Sequence, residues 1–283
     1  MRTLIVVIGA AVVLQSAAQV GVGECVIAHA VEGDAQFVSD PEECGVATLP
    51  ASTFKIPHAV IALETGVVTA QTRVAWDRTP QPFPAWERDH TLDSSIKSSV
   101  FWFYRRTAGL IGRERMRDSL ASFHYAADTF ERELTSFWVN GDLVVTPREQ
   151  LAFMRRLARY ELPARREHVD TVMTAMRMPS GRILNAAGSH PFVLTWPAPL
   201  VVRAKTGNGD VGGERASWLI GHIESGGAAY VFASRVRGGG AMEGTAGADL
   251  ARRVLNAHPP ASWWSARNRP ARFLRCPTAS PDN

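Results

Sequence analysis

The sequence predicts an α+β fold in which an antiparallel sheet is flanked by N- and C-terminal helices and carries an inserted all-helical lobe. Three observations favour this fold class. Two short strand-like stretches separated by a turn stand near the start of the chain. The middle of the chain has mostly helical patterns. Three strand-like stretches and a last helix close it, so we expect strands from both ends to share one sheet.

The first half begins with a hairpin and continues into helices. Residues 25–31 and 36–38 are strand-like, and Glu32-Gly33-Asp34 between them is a turn. Residues 40–50 are predicted to be loop. Prolines in residues 67–93 remove backbone donors and indicate a long surface excursion. The helices predicted in this half cover residues 52–64, with Gly66 as the stop, 94–108 and 113–123.

The second half contains the clearest helix start and the remaining strands. Thr146 supplies an N-cap hydroxyl, Pro147 stands at the first helical position, and Glu149 completes a capping box. The predicted helices cover residues 146–159, 167–176 and 245–257. The predicted strands cover residues 201–205, 216–224 and 228–237.

The N-terminus predicts export. Arg2 precedes an apolar run over residues 4–14, and Ala18 ends a small-residue cleavage signal, so residues 1–18 are predicted to be a signal peptide. No other stretch is apolar enough to cross a membrane, and we expect a periplasmic protein without stable membrane insertion. The remaining predicted domains are an α/β sheet lobe at 19–75 and 195–260, a mostly helical lobe at 76–194, and a tail at 261–283 whose composition permits disorder.

Export to an oxidising compartment would allow the cysteines to form a disulfide. In an oxidising compartment Cys25 and Cys44, on either side of the predicted hairpin, can form a disulfide, and we expect this bond. Cys276 lies in the tail and is expected to be unpaired.

Composition excludes several classes of protein. With 46% hydrophobic and 20% charged residues, the 283-residue chain is expected to be globular. Its net charge of +4 comes from scattered arginines without a basic run, so no nucleic-acid partner is predicted. The eight histidines show no metal-ligand spacing, so no metal is predicted. Nothing in the sequence indicates an oligomeric state.

The stretch Ser52-Thr53-Phe54-Lys55 suggests nucleophilic chemistry. Helix positions three apart share a face, so Lys55 would stand one turn above Ser52. A serine becomes a good nucleophile only when a neighbour takes its proton, and a buried lysine of lowered pKa can do so. The alternative is an ordinary helix start, with Ser52 as N-cap and Lys55 solvated.

The scarcity of lysine favours the chemical interpretation. Of 31 basic residues only three are lysines: Lys55, Lys97 and Lys205. The chain uses arginine where a plain positive charge suffices, and arginine cannot release its proton in a protein. The lysines that remain are therefore candidates for chemistry specific to lysine.

Taken together, the motifs resemble those of the penicillin-recognising serine enzymes, and most closely the class D, or oxacillinase-type, serine β-lactamases. The resemblance covers about residues 25–257. It rests on Ser-x-x-Lys, on a serine motif in the middle of the chain and on a late Lys-Thr-Gly. The matching stretches are Pro50-Ala51-Ser52-Thr53-Phe54-Lys55-Ile56-Pro57, Ala62-Leu63-Glu64-Thr65-Gly66, Trp76-Asp77, Trp86-Glu87-Arg88-Asp89, Thr91-Leu92, Ser99-Val100-Phe101, Phe137-Trp138-Val139-Asn140-Gly141 and Lys205-Thr206-Gly207.

The resemblance implies a role for each matched residue. Ser52 would attack a β-lactam carbonyl, and Lys55 would carry a carboxylate taken from carbon dioxide or bicarbonate, with no other cofactor. Trp138 would steady that carbamate through its indole N–H, since indole nitrogen is a donor only; the alternative is a core aromatic. The backbone N–H groups of Ser52 and Asn208 would form an oxyanion hole.

Other residues would relay protons or line the substrate. Ser99 would pass a proton to the lactam nitrogen with the support of Lys205; the alternative is a serine inside a helix. Thr206 and Gly207 would line the strand along which the substrate lies, the bland alternative being a strand end and turn. Phe101 and Val139 would form an apolar lid over Lys55.

Three departures from the family pattern stand out. Phe101 occupies a position that is usually valine, and its larger ring is expected to slow water entry. Tyr125-Ala126-Ala127 replaces a Tyr-Gly-Asn element. The stretch Gly244-Thr245-Ala246-Gly247 lacks the arginine that pairs with the substrate carboxylate in many relatives, which leaves Arg235 or Arg237 as possible substitutes.

The sequence therefore predicts hydrolysis of penicillin-type β-lactams, a small-molecule partner, through a serine acyl-enzyme. A penicillin-binding sensor of the same fold, which acylates and barely deacylates, is the alternative from another functional class. A transpeptidase or D,D-carboxypeptidase and an inactive relative are further alternatives. A zinc β-lactamase is disfavoured by the histidine pattern.

Overall fold

The computed structural model describes residues 21–126 and 133–263 and has an antiparallel sheet at its centre. The strands are β1 (Gly23–Ala30), β2 (Gln36–Val38), β3 (Arg182–Asn185), β4 (Gly188–Pro191), β5 (Leu200–Val211), β6 (Glu214–Ser225) and β7 (Ala228–Gly238). Five of them form one sheet in the order β2-β1-β7-β6-β5, while β3 and β4 pair as a separate hairpin. The predicted α+β fold class is confirmed, including the union of strands from both ends of the chain.

The helices are α1 (Lys55–Glu64), α2 (Leu92–Lys97), α3 (Phe101–Ile111), α4 (Arg113–Ser122), α5 (Pro147–Ala158), α6 (Arg166–Ala175) and α7 (Ala246–Ala257). Short 3-10 turns cover Glu43–Gly45, Ala51–Phe54, Pro84–Trp86 and Pro260–Ser262. Helix α5 starts as predicted: Glu149 N donates to Thr146 Oγ1 at 3.1 Å, and Thr146 N donates to Glu149 Oε2 at 2.7 Å.

The sheet separates two hydrophobic cores because side chains alternate across it. Trp218 and Ile220 of β6 face the core that contains α1 and α5. Leu219 and Ile223 face the core that contains α7 and Ile183 of the small hairpin. Each fully buried side chain of this size contributes about 1.5–3 kcal/mol relative to exposure. The predicted flanking of the sheet by the first and last helices is therefore present, one helix on each face.

Two predictions about the inserted lobe were wrong. The single helix predicted over residues 94–108 is two helices, because Ser99 has φ +54° and Val100 is extended, which ends α2 and restarts the chain as α3. The lobe is not all-helical, because β3 and β4 lie within residues 76–194. Each has four residues, too few for a period of two to stand out.

The late strands are longer than predicted. Strand β5 continues beyond Lys205 to Val211, through two glycines that weaken a strand signal in the sequence. It can do so because β5 and β6 pair in unbroken antiparallel register from Leu200–Ser225 to Val211–Glu214. The extension matters because it carries the strand past the nucleophile.

The covalent and membrane features are as follows. Cys25 of β1 is bonded to Cys44 in the first 3-10 turn, which is the expected disulfide. Within residues 21–126 and 133–263, no helix combines the length and apolarity needed to cross a bilayer. The predicted signal peptide, Cys276 and most of the predicted tail lie outside the described residues. The assignment of two lobes remains a prediction.

Candidate active site

Ser52 lies in a tight 3-10 turn that leads directly into α1. Ala51 before it has φ +47°, a left-handed conformation that is costly for any residue with a Cβ. The Thr53 hydroxyl donates to Pro50 O at 2.6 Å and closes the turn around the serine. Ser52 is partly exposed while its neighbours are buried, so the turn presents one hydroxyl to solvent.

Lys55 lies beneath Ser52 and is only 1% exposed. Its Nζ donates to Ser52 Oγ at 2.7 Å. Burial lowers the pKa of Lys55 well below its ordinary value, and the nearby positive charge of Lys205 lowers it further. The alternative of an ordinary helix start is excluded for two reasons. Lys55 is buried and not solvated, and the N-cap positions of the 3-10 turn and of α1 are Pro50 and Phe54, so Ser52 caps neither.

Ser99 and Lys205 form a second hydroxyl–amine pair. Lys205 Nζ donates to Ser99 Oγ at 3.0 Å and to Thr206 O at 3.0 Å. Lys205 is fully buried, and this burial lowers its pKa to about 7. Ser99 is in the sharp bend between α2 and α3, so it is not the helix-interior serine of the bland alternative. The third lysine, Lys97, makes a surface ion pair with Asp93 at 2.5 Å.

Aromatic rings enclose the Lys55 amine. Its Nζ lies 5.2 Å from the Tyr104 ring centroid and 6.0 Å from that of Phe101. Trp138 stacks on Phe54 at 5.4 Å between ring centroids and meets Phe101 at 5.9 Å. Among the described residues, nothing accepts a hydrogen bond from the buried Trp138 Nε1. A buried donor without a protein partner is unusual, and this N–H is free to donate to a group placed beside it.

A cleft of about 290 Å³ opens over Ser52 and Ser99. Thr206 and Asn208 of β5 line one side, as the sequence predicts, together with Gly244. The other lining residues are Phe83, Trp86, Asn185, Ala186 and Ala187. Phe101 and Val139 are half-buried against the core that contains α1 and α5 and are not among the residues that line the cleft. The lid that they were predicted to form over Lys55 remains a prediction.

Gly207 is required by close approach. A Cβ at this position would lie 2.9 Å from Pro50 O and 3.2 Å from Thr53 N. Any side chain would therefore push β5 away from the nucleophile turn. The glycine of Lys205-Thr206-Gly207 thus fixes the separation between Ser52 and the strand beside it.

Neither arginine proposed as a carboxylate partner faces this cleft. Arg235 is fully buried and bonds to Glu43 and Val46 O. Arg237 bonds to Glu43 at 2.6 and 2.9 Å and to Glu214 at 3.3 Å. The residues that line the cleft include no arginine in the described part of the chain.

Sequence reasoning missed part of the site. The tip of the β3–β4 hairpin lines the cleft through Asn185, Ala186 and Ala187, and the Asn-Ala-Ala-Gly sequence of that turn was its only signal. Trp86 belongs to a stretch that resembles the family, but the resemblance implies no role for it. Its indole N–H donates to Ser98 O at 2.8 Å and thereby supports the bend that carries Ser99.

The described residues contain no cluster of three or more His, Cys, Asp or Glu side chains able to hold a metal ion. The groups that the structure does bring together are two serine hydroxyls, each bonded to a buried amine.

Comparison with known proteins is consistent with this geometry. Residues 43–256 match the family described as the penicillin binding protein transpeptidase domain. The probable β-lactamase YbxI of Bacillus subtilis (strain 168) is 30% identical over 211 residues, which cover 74% of this chain and 73% of that protein. The solved structure of the class D β-lactamase YbXI from Nostoc matches with a TM-score of 0.73 and 27% identity, covering 83% of this chain and 93% of that one.

One relative is named as a regulatory protein and not as a β-lactamase. The regulatory protein BlaR1 of Bacillus licheniformis is 28% identical over 211 residues, or 73% of this chain. The chain spans 32% of the length of that protein.

Proposed function

The chain belongs to the penicillin binding protein transpeptidase family, among relatives named class D β-lactamases, and from this premise we propose that it hydrolyses penicillin-type β-lactams through an acyl-enzyme on Ser52. One observation carries the proposal: the buried amine of Lys55 donates to Ser52 Oγ at 2.7 Å, inside a cleft that also holds Ser99. A hydroxyl hydrogen-bonded to a neighbouring base is the arrangement that activates a serine.

The surroundings of Lys55 suit carboxylation by carbon dioxide. Only a neutral amine reacts with carbon dioxide, and burial lowers the pKa of Lys55 toward that form. The unpartnered Trp138 Nε1 in the same aromatic enclosure is a donor suited to a carbamate oxygen. Carbon dioxide bound to Lys55 would supply a carboxylate-like base beside the Ser52 hydroxyl.

Acylation uses the residues that line the cleft. Ser52 loses its proton toward Lys55, and Ser52 Oγ bonds to the lactam carbonyl carbon. The backbone N–H groups of Ser52 and Asn208 hold the developing oxyanion, each such donor being worth about 3 kcal/mol. As the lactam C–N bond breaks, Ser99 donates a proton to the nitrogen and recovers one from Lys205, to which it is bonded at 3.0 Å.

Substrate binding follows from the same geometry. Lys205, in its protonated form, and the Thr206 hydroxyl provide the positive and polar groups for the substrate carboxylate, since Arg235 and Arg237 are engaged by Glu43. Deacylation requires a water that gives its proton toward Lys55 and attacks the ester carbon. The half-buried Phe101 ring, 6.0 Å from Lys55 Nζ, restricts the path of that water.

A penicillin-binding sensor is the second candidate function. Its support is the similarity to BlaR1, which is shared over 73% of this chain. A sensor would form the same acyl-enzyme and retain it, and the bulky Phe101 favours slow water entry. Export of the chain to the periplasm through residues 1–18 is part of the proposal for either function.

Purified protein and a chromogenic cephalosporin separate these candidates. We expect many turnovers per molecule, a higher rate when bicarbonate is added, and complete loss in Ser52→Ala. Stoichiometric labelling of Ser52 without turnover would favour the sensor. Wild-type protein that shows neither labelling nor turnover would overturn both.

A further inference from the structure

Helix α5 carries a fully buried amide that the reaction described above does not use. Gln150 is 0% exposed on the face of α5 that otherwise contributes Leu151, Met154 and Leu157 to the core. Burying an amide among apolar groups is unfavourable unless each polar atom finds a partner. Both polar atoms of the Gln150 amide have partners, and one of these partners is Thr53, the residue after the proposed nucleophile.

The hydrogen bonds of Gln150 form a chain with one direction. The Tyr125 hydroxyl donates to Gln150 Oε1 at 3.2 Å, and Gln150 Nε2 donates to Thr53 Oγ1 at 2.7 Å. The Thr53 hydroxyl donates in turn to Pro50 O at 2.6 Å. Rotating the amide by 180° would place Gln150 Oε1 against Thr53 Oγ1, whose proton is already donated to Pro50 O, so Nε2 must face Thr53 for this bond to form.

The chain ends on the turn that holds Ser52. Pro50 and Thr53 stand on either side of Ala51 and Ser52, and Ala51 is in the unfavourable left-handed conformation at φ +47°. Pro50 O also lies where a Cβ on Gly207 would collide with it, so the same carbonyl sets the distance to β5. A conformation that is costly by itself persists only when the surrounding contacts hold it.

We propose that Tyr125 and Gln150 are positioning residues for acylation, acting through Thr53 to hold the Ser52 turn in its reactive conformation. The inference rests on the proposed function. It also gives Tyr125 a role in a stretch, Tyr125-Ala126-Ala127, that departs from the family pattern. Small displacements of a nucleophile reduce rates strongly, because the attacking atom must lie about 3–3.5 Å from the carbonyl carbon with its orbitals aligned for addition.

Three variants test the chain at its successive links. Thr53→Val keeps the shape and removes the hydroxyl, Gln150→Met keeps the volume and removes the amide, and Tyr125→Phe removes one oxygen. Acylation of each is measured under single-turnover conditions with a fluorescent penicillin, and deacylation is followed separately as release of the label. We expect the acylation rate constant to fall by up to about 10²-fold in Thr53→Val and less in Tyr125→Phe. Deacylation should fall less, because its nucleophile is water.

Two controls distinguish positioning from stability. Thr53→Ser restores the hydroxyl and should restore acylation. Thr65→Val removes a similar bond, Thr65 Oγ1 to Ile61 O at 2.7 Å, at the other end of α1, and should change the melting temperature without changing acylation. Variants that melt earlier yet acylate at the wild-type rate per folded molecule would overturn the inference. Wild-type protein that does not acylate would overturn the proposed function instead.

Discussion

At the scale of single residues, the site depends on two lysines that are buried away from water. Lys55 and Lys205 are both buried, and the pKa of each is lowered mainly because burial disfavours the charged form. Lys97, the third lysine, is an ordinary surface residue paired with Asp93. The rarity of lysine therefore singled out two buried amines and one ordinary surface residue.

Replacing Lys55 should exchange activity for stability. We expect Lys55→Met to lose turnover by more than about 10³-fold, since no group remains to take the Ser52 proton. Its melting temperature should rise in buffer depleted of carbon dioxide. The pKa of Lys55 is lower in the folded chain than in the unfolded one, so the unfolded chain binds more protons and wild-type stability falls as the pH falls. The increase in melting temperature caused by Lys55→Met should therefore be largest at acidic pH. Thermal melts at several pH values, with Lys97→Met as the matched surface control, measure it; an equal gain in both variants would contradict this account.

The protonation of Lys205 should appear in the pH dependence of kcat/KM. With a folded-state pKa of about 7, Lys205 is charged below that pH and becomes neutral above it. The attraction for an anionic substrate is present at low pH and lost as the pH rises, so kcat/KM for a penicillin should fall on the alkaline side of about pH 7. The measurement uses excess bicarbonate throughout. The methyl ester of the same penicillin, which lacks the carboxylate, should show a smaller decline, because only the proton relay through Ser99 still needs the charged amine; an identical decline for the ester would argue against the carboxylate contact.

At the scale of elements, the bend between α2 and α3 combines function with local strain. Ser99 has φ +54°, and its hydroxyl accepts a hydrogen bond from Lys205. Ser99→Gly and Ser99→Ala should both lose the proton relay and acylate slowly. They should differ in stability, because glycine adopts this conformation without penalty and alanine does not. We expect Ser99→Gly to be more stable than Ser99→Ala by about 1 kcal/mol in urea unfolding. Equal stabilities would mean that the bend carries no strain.

Phe101 at the start of α3 is expected to limit deacylation. Its ring lies 5.9 Å from the Trp138 ring and 6.0 Å from Lys55 Nζ, where it restricts the volume around Lys55. Phe101→Val should raise the rate of ester hydrolysis severalfold and leave acylation nearly unchanged, at some cost in stability from lost packing. Rapid-quench measurement of acyl-enzyme decay checks this, with Phe83→Val at the rim of the cleft as the comparison. Slower decay in Phe101→Val would show that the ring promotes hydrolysis.

Contacts between residues that are close in the sequence could be predicted, whereas contacts between distant residues could not. The contact between Ser52 and Lys55 follows from local spacing, and the capping box of α5 follows from Thr146 and Glu149 in the same way. The Ser99–Lys205 bond joins residues 106 positions apart, and no periodicity encodes such a contact. Its formation requires the bend at Ser99 and the pairing of Lys205 with Ile220 of β6, and both depend on contacts between distant parts of the chain.

Backbone conformations that depend on tertiary contacts were equally hidden. The left-handed conformations of Ala51 and Ser99 run against the preferences of alanine and serine, so local propensity predicted a continuous helix at the second of them. Ala51 precedes the proposed nucleophile Ser52, and Ser99 itself carries a proposed functional hydroxyl. Local rules fail most often where the surrounding structure imposes a geometry for chemistry.

At the scale of the whole molecule, the segment before the nucleophile is fixed to the sheet. Trp218 Nε1 of β6 donates to Leu49 O at 3.0 Å, and Thr48 pairs with Val145 ahead of α5. Arg235 of β7 bonds to Glu43 and Val46 O. The hydrogen bond from Arg237 is the main cause that holds the pKa of Glu43 below its ordinary value, and the charge of Arg235 lowers it further. The approach to Ser52 is therefore anchored before the chain reaches it.

The disulfide is the covalent part of this anchor, and its loss should affect stability more than chemistry. Cys25 and Cys44 are 19 positions apart, and closing a loop of this size restricts the unfolded chain by about 3 kcal/mol in the chain-entropy description. For a domain of this size the loss corresponds to a fall in melting temperature of about 6–12 °C. We expect this fall when dithiothreitol is added to Cys276→Ser protein, in which only the bonded pair can respond. Reduced protein below its transition should keep its rate of acylation, because Arg235 and Trp218 still hold the segment. Adding Arg235→Met to the reduced protein should then lower acylation as well; unchanged acylation in that combination would show that the anchor contributes stability alone.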